Sequence, residues 1–326
     1  MKESSHDKVL QEYKVKKPVE LLAFLLENQA RKSRNAVKSL LAHKQIKVNN
    51  KLVTQFDHRL NSGDTVFVMK YNQARKRRKL KGLSLIYEDE YLIVVDKEAA
   101  FLSVGTDREK TRTVYHILNE YLKGQKNKEA RVYVVHRMDR DVSGIMIFVK
   151  EQDIQTMFQQ NWDKIVSQYN YSAIVEGQPE LPAGTVTSWL TEDKNFVMRS
   201  STTDNGGLKS VTHYKTLDST GRYSLLNFKQ ETRRKNQVRV QMQSIGHPIV
   251  GDKKYGAKGS PIKRIALHAD YMEIVHPVSG QKMEFQSNLP KLMKEFLSTK
   301  RESEKNTITK IKRSHEPGNG TDSPAS

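Results

Sequence analysis

Residues 131–150 read RVYVVHRMDRDVSGIMIFVK. Two apolar runs, RVYVV at 131–135 and GIMIFVK at 144–150, enclose the polar string His136-Arg137-Met138-Asp139-Arg140-Asp141, and Ser143-Gly144 turns the chain into the second run. Short apolar runs closed by turn residues are the pattern of buried strands, and a charged loop between two of them is where a rigid scaffold presents reactive groups. The pattern extends outward through LSLIY at 83–87, YLIVVDK at 91–97, YNYSAIV at 169–175, TVTSWL at 185–190, VTHYKTL at 211–217, SLLNFK at 224–229 and VRVQM at 238–242. These runs predict a mainly antiparallel sheet. Helices are expected at 113–122, where Val114, Ile117, Leu118 and Tyr121 share a face, and at 152–164. No strand-helix-strand rhythm repeats, and neither GxGxxG nor GxxxxGK[ST] occurs. The fold class is α+β, and nucleotide-driven energy transduction is disfavoured.

Charge is concentrated at one end. The 326 residues carry 56 Lys and Arg against 37 Asp and Glu, a net of +19, which favours a polyanionic partner. Residues 1–82 hold 20 basic against 7 acidic side chains, a net of +13, so the partner surface is polarised. Residues 75–81, RKRRKLK, read as a basic linker, and Arg75, Lys76, Arg77 and Arg78 become candidate phosphate contacts. Cysteine is absent, which removes disulfides, thiolate catalysis and cysteine-ligated metal. No secretory h-region and no run near ~20 apolar residues occurs, so a soluble, cytoplasmic protein is expected.

Ahead of the linker, Pro18 at a first helical position precedes VELLAFLLEN, and Ser33 can cap RNAVKSLLAHK with its stripe Val37, Leu40 and Leu41. Arg34 and Lys38 lie four apart on the outer face, with Arg31 just before them. Ile46 and Val48 alternate, Asn49-Asn50 turns, Leu52-Val53 resumes, and Gly63-Asp64 leads into TVFVMK. The string SRNAVKSLLAHKQIKVNNKLVTQFDHRLNSGDTVFV resembles the small alpha-L RNA-binding module of a small-subunit ribosomal protein and of several RNA-modifying enzymes. The resemblance implies that Arg31, Arg34 and Lys38 contact an RNA backbone. The organisation expected is an N-terminal extension at 1–17, this module at 18–70, a basic linker at 71–82, a catalytic domain at 83–298 and a disordered tail at 299–326, where bulky apolar residues nearly vanish.

HRMDRDVSGIMIFVK resembles the RluA-type pseudouridine synthase signature, HRLDxxTSGLLLxAK, whose aspartate is catalytic and here is Asp139. Further segments resemble the family in its order: YEDEYLIVVDK at 87–97, YSAIVEG at 171–177 with its tyrosine at Tyr171, RRKNQVRVQMQSIGHPIVGDKKYG at 233–256 with the paired arginine at Arg239, and IALHADYMEIVHPVSG at 265–280. The resemblance implies isomerisation of uridine to pseudouridine in RNA within a central cleft, needing no metal or cofactor. Asp139 would act at the ribose as nucleophile or proton abstractor. Tyr171 would stack on the flipped base, and Arg239 at ~4 Å would favour ionisation by about 4 kcal/mol at an effective dielectric of ~20.

As a strand, VRVQM would set Val238, Val240 and Met242 on one side and Gln237, Arg239 and Gln241 on the other, aiming Arg239 into the cleft. YNYSAIV would set Tyr169, Tyr171, Ala173 and Val175 on one face, as an aromatic platform. Arg137 and Arg140 are candidates for flanking phosphates, each weighed against a solvated turn, and His136 is read as structural. Departures from the family pattern are Glu98 and Ala100 in place of a Lys-Pro-x-Gly turn, Val142 for threonine, Tyr169 for a basic residue, and Arg233 and Asn236 for glycine and histidine. They leave open an inactive RNA-binding or ribosome-assembly factor on the same fold. Ribosomal RNA of the large subunit is the favoured substrate, on the appended module alone, with tRNA the second candidate. A membrane-surface role for RKRRKLK lacks an apolar face, and a monomer is expected.

Overall fold

A computed structural model describes residues 9–31, 34–42, 45–69, 78–125 and 129–313. The N-terminal module contains β1 (Val9–Lys14), β2 (Val19–Glu20), α1 (Leu21–Glu27), α2 (Arg34–Ala42), β3 (Ile46–Val48), β4 (Lys51–Leu52), β5 (Arg59–Leu60) and β6 (Thr65–Met69). Its antiparallel sheet runs β1-β6-β3-β4, with β2 paired to β5. Leu21 and Leu25 of α1, Val37 and Leu40 of α2, and Ile46, Val66 and Val68 of the sheet form its own buried core. Asn49 and Asn50 both take left-handed backbone (φ 47° and 64°), the conformation a two-residue hairpin between β3 and β4 requires. The Asn49 amide group donates to Asp64 at 2.7 Å and its oxygen accepts from Thr65 N–H at 2.9 Å, locking the Gly63-Asp64 turn to the hairpin.

Two boundaries differ from expectation. The helix starts at Leu21 rather than at Pro18, because Val19 and Glu20 pair with Leu60 and Arg59. The expected extension at 1–17 contains β1, which pairs with β6 while exposing nearly every side chain. An edge strand held by backbone hydrogen bonds leaves no apolar alternation to read. The Ser33 cap lies outside the described residues.

The rest of the chain contains β7 (Arg78–Leu80), β8 (Leu83–Glu88), β9 (Leu92–Lys97), α3 (Val114–Lys123), β10 (Tyr133–Val134), β11 (Ser143–Val149), α4 (Gln152–Ile165), β12 (Val166–Glu176), β13 (Ala183–Glu192), β14 (Met198–Ser201), β15 (Leu208–Ser219), β16 (Tyr223–Gln230), α5 (Gln237–Ser244), β17 (Leu267–Val275), β18 (Lys282–Gln286) and α6 (Lys291–Arg313). The chain divides into two compact units, Met1–Asn170 with Ala269–Ser287 and Tyr171–His268 with Asn288–Ser326.

In the first unit the strand order is β17-β11-β9-β8-β7, with β10 beside β11 and β18 beside β17. Every residue of β11 is buried, as its unbroken apolar run requires of a central strand. Helix α3 starts where the Thr113 hydroxyl accepts from His116 N–H at 3.0 Å, and it buries Val114, Leu118 and Leu122 at helical spacing. Strand β7 pairs with β8 inside the segment expected to be linker, so the sheet begins at Arg78. In the second unit β14-β13-β15-β16 are antiparallel neighbours, with β12 next to β16.

Two further expectations fail here. VRVQM is not a strand but part of helix α5, in which all of Gln237 to Met242 are buried. The glutamines are four apart and so share a helix face. Gln237 donates to the Val211 carbonyl (3.1 Å) and the Thr212 hydroxyl (2.8 Å), and Gln241 donates to Ser188 (3.0 Å) and the Ser210 carbonyl (3.1 Å). Their polar ends are satisfied in the interior, so a period of two in VRVQM carried no information. The tail expected to be disordered from 299 is helical to Arg313. Residues 291–313 contain no glycine or proline, and their Lys, Glu and Arg side chains favour helix without needing a core. The remainder, 314–326, lies outside the described residues.

Candidate active site and RNA-contact residues

The loop carrying Asp139 is held through His136, Met138 and the carbonyls of Asp139 and Arg140. The His136 Nε2 accepts from Ile147 N–H at 3.0 Å, and its ring packs against Trp162 and Tyr169, so this histidine is structural, as the sequence suggests. Ser103 Oγ accepts from Met138 N–H (3.0 Å) and donates to Met138 C=O (2.7 Å), clamping the residue before the aspartate from both sides. The Asp139 carbonyl closes the turn by accepting from Val142 N–H at 3.2 Å. The next carbonyl, of Arg140, accepts from Ala100 N–H at 2.8 Å and from Lys97 Nζ at 3.1 Å.

Lys97 is fully buried, and its ammonium also reaches the carbonyls of Glu98 (3.1 Å) and Phe101 (2.9 Å). Three carbonyl dipoles compensate a charge that burial alone would disfavour. Gly144, with φ 121°, ends the loop where an added Cβ would stand 2.2 Å from the Ala269 carbonyl oxygen, so only glycine lets β11 start there. The Asp139 carboxyl-bearing residue itself is half-exposed. A fixed backbone with an accessible acid is what a positioned nucleophile or base requires.

Tyr169 does not join a base platform. It is buried, its hydroxyl donates to the Ile145 carbonyl at 2.8 Å, and its ring edge meets His136. In the second unit Tyr171 is half-buried on β12, and its carbonyl accepts from Asn227 at 3.2 Å.

Arg239 sits on α5 rather than on a strand. Its Nε and Nη2 donate to the two carboxylate oxygens of Asp252 at 2.6 and 2.9 Å, a bidentate pair with both side chains nearly inaccessible. The guanidinium carbon stands 5.0 Å from the centre of the Tyr255 ring. Asn236 before the helix is left-handed (φ 53°), and its Oδ1 accepts from Tyr255 OH at 3.1 Å. Asparagine tolerates that backbone better than most residues, which suits its place where the family pattern has histidine. Asp252 was not singled out from the sequence, though it lies in the quoted PIVGDKKYG string. An acid following an apolar run and a turn glycine was the available signal.

The basic candidates separate by exposure. Arg34 and Lys38 are both exposed on α2, and Lys38 Nζ stands 5.9 Å from the Phe56 ring centre. Arg31 is half-buried, donates to the Ala30 carbonyl at 2.6 Å and leaves Nε buried without a partner among the described residues; burial lowers its pKa from the usual value. Arg78 lies over Tyr121 at 4.8 Å, and the Tyr121 hydroxyl donates to Glu88 at 2.7 Å. Arg137 and Arg140 are exposed, the latter with Nε 3.2 Å from Asp141. Arg75, Lys76 and Arg77 lie outside the described residues. Among the described residues no helix is long and apolar enough to cross a membrane.

A family model described as RNA pseudouridylate synthase matches residues 91–244, which contain Asp139, Tyr171 and Arg239. An uncharacterized RNA pseudouridine synthase of Bacillus subtilis, YhcT, is 30% identical over 84% of this chain and 91% of its own. Ribosomal large subunit pseudouridine synthase D of Borreliella burgdorferi is 34% identical over 66% of this chain and 68% of its own. A solved human structure, RNA pseudouridylate synthase domain containing 4, shares the fold with a TM-score of 0.55 and 22% identity, covering 67% of this chain and 92% of that one. Carrying the motifs in their order, and matched over most of its length by such a relative, the chain belongs to the RNA pseudouridine synthase family of isomerases.

Proposed function

We propose that this synthase isomerises uridines of large-subunit ribosomal RNA, with the N-terminal module acting as an alpha-L-type RNA-docking element. Asp139 acts at the ribose, and Tyr171 and Arg239 are carried as the catalytic candidates of the second unit. The observation that carries the substrate reading is one large-subunit relative whose match reaches beyond the catalytic region, although that of Borreliella burgdorferi, at 66% of this chain, spans no more than that region. Ribosomal large subunit pseudouridine synthase D of Buchnera aphidicola matches 81% of this chain at 28% identity, more than residues 83–298 can supply, so that match reaches beyond the catalytic region. The tRNA pseudouridine synthase C of Yersinia pestis matches 61% at 32% identity, an extent that region can supply alone. Exposed Arg34 and Lys38 on the module support backbone contacts that position rather than specify.

No cofactor enters this reading: the N1–C1′ bond breaks, the base turns, C5 joins C1′, and the proton lost from C5 is balanced by one gained at N1, so that the nucleotide is isomerised without net change. Site-resolved mapping of pseudouridine in cells with and without the gene tests the substrate. Loss of signal at large-subunit positions is expected, and loss confined to tRNA would replace the reading. In the complemented strain, Asp139→Asn is expected to lower single-turnover formation by at least about 10²–10⁴-fold.

A further inference from the structure

The tip between β13 and β14 presents an unusual side chain. Phe196 is 71% exposed and sits at φ 58°, a left-handed backbone that bulky residues rarely adopt. The turn holding it is built rather than loose. Phe196 N–H donates to the Asp193 carbonyl (2.9 Å), and Asp193 N–H donates to the Val197 carbonyl (2.9 Å). The Asp193 carboxylate accepts from the amides of Asn195 and Val197 and from Arg199 Nε, each at 2.9–3.0 Å. These donors, the Val197 amide foremost, hold the carboxyl below the usual range against the opposing effect of desolvation.

The tip is also fastened to the helix that carries Arg239. Val197 packs on Leu190, Met198, Val240 and Tyr255, and Met198 N–H donates to Tyr255 OH at 3.3 Å. Two lysines flank the exposed ring. Lys254 Nζ donates to the Phe196 carbonyl at 3.2 Å, and Lys235 Nζ, which also bonds Glu192, stands 5.9 Å from the ring centre. Arg199 and Lys235 match the turn's two acids, Asp193 and Glu192, and Lys254 adds a further positive charge beside the ring.

An aromatic face left in water, held by a costly backbone and bracketed by ammonium groups, matches the chemistry of an unstacked nucleobase with its adjacent phosphates. We infer that Phe196 stacks on a single-stranded base of the bound RNA, with Lys235 and Lys254 taking the neighbouring phosphates. This rests on the RNA reading above and extends it to a specific contact of the second unit.

The test is a titration of the full chain with a labelled stem-loop RNA bearing a single-stranded, uridine-containing loop, at several salt concentrations. Phe196→Ala and Phe196→Leu are expected to bind about ten-fold or more weakly, and Phe196→Trp to bind as the parent does. The slope of affinity on salt should be unchanged in all three, because an uncharged ring releases no counterion, whereas Lys254→Ala should reduce it by about one. Leucine binding as well as phenylalanine would overturn stacking in favour of apolar docking, and alanine binding as well as the parent would remove the site altogether. With 4-thiouridine in the loop, photocrosslinking of the parent chain to the Phe196 peptide is the outcome required. Pseudouridine assays separate the two claims: normal isomerisation with an indifferent Phe196→Ala sinks this inference alone, and Phe196-dependent binding without any isomerisation sinks the catalytic reading alone.

Discussion

His276 donates from Nε2 to Asp89 at 2.9 Å, with both side chains about 5% exposed, and so ties the closing HPVSG segment to the opening YEDEY segment of the first unit. Its Nδ1 accepts from Val278 and Ser279 N–H at 3.2 and 3.1 Å, which puts the ring proton on Nε2. Asp89 accepts also from Tyr87 OH at 2.5 Å and from the amides of Tyr91 and Leu92 at 2.8 and 2.6 Å. Burial raises the Asp89 pKa, but these donors, His276 first among them, outweigh it and hold the carboxyl below its usual range.

The sign of the pH effect follows. The folded-state value lies below the ordinary ~4, so the stabilisation is complete above the unfolded value and is lost as pH falls through the folded one. Unfolding by urea should show stability dropping below about pH 4. Asp89→Asn should cost about 2–4 kcal/mol at pH 7 and flatten that acid limb. An acid limb as steep in the variant as in the parent would assign it to other carboxylates.

This contact also shows what the sequence could and could not tell. The segments were legible because each is an apolar run with a polar end, but pairing two ends 187 residues apart needs the folded sheet. Helix α5 was misread because its polar glutamine face is buried along with its apolar one, and valine-arginine-valine mimics a strand. Strands β1 and β7 escaped because exposed edges carry no apolar alternation. The Asp139 loop was legible from wording alone, whereas its supports, Lys97, Ser103 and Ala100, come from a segment some forty residues away and leave no trace in the loop's own residues.

Ala100 is one of those supports and is strained. It stands where the family pattern has glycine, and its φ is 70°. Ala100→Gly should relieve the left-handed strain, offset by the greater freedom of glycine when unfolded, for a net gain of about 0.5–1 kcal/mol. Denaturant unfolding measures it, and a loss of stability would mean the turn is set by contacts of the alanine methyl.

Lys97 should matter more. Lys97→Met keeps the length but strands the carbonyls of Glu98, Phe101 and Arg140 without their shared donor. A stability loss of about 2–4 kcal/mol is expected, with faster amide exchange at Val142, whose N–H reports the Asp139 turn. Unchanged exchange at Val142 would confine the role of Lys97 to global stability.

The Arg239–Asp252 pair supplies the strongest contrast between geometry and charge. Arg239→Lys preserves a cation, but an ammonium cannot make the two parallel bonds that fix the guanidinium on Asp252. If orientation is what the pair contributes, Arg239→Lys should lower the single-turnover rate by about 10²–10³-fold, close to the effect of Arg239→Ala. Asp252→Asn retains one acceptor and the shape of the site, so it should lose less rate than Asp252→Ala, which leaves a buried guanidinium unpaired and should also cost about 3–5 kcal/mol of stability. Reading rate and unfolding together decides between the roles. A lysine variant with nearly full activity would mean that charge alone suffices, and that the fork exists to hold α5 against the loop of Asp252 and Tyr255 rather than to aim the arginine.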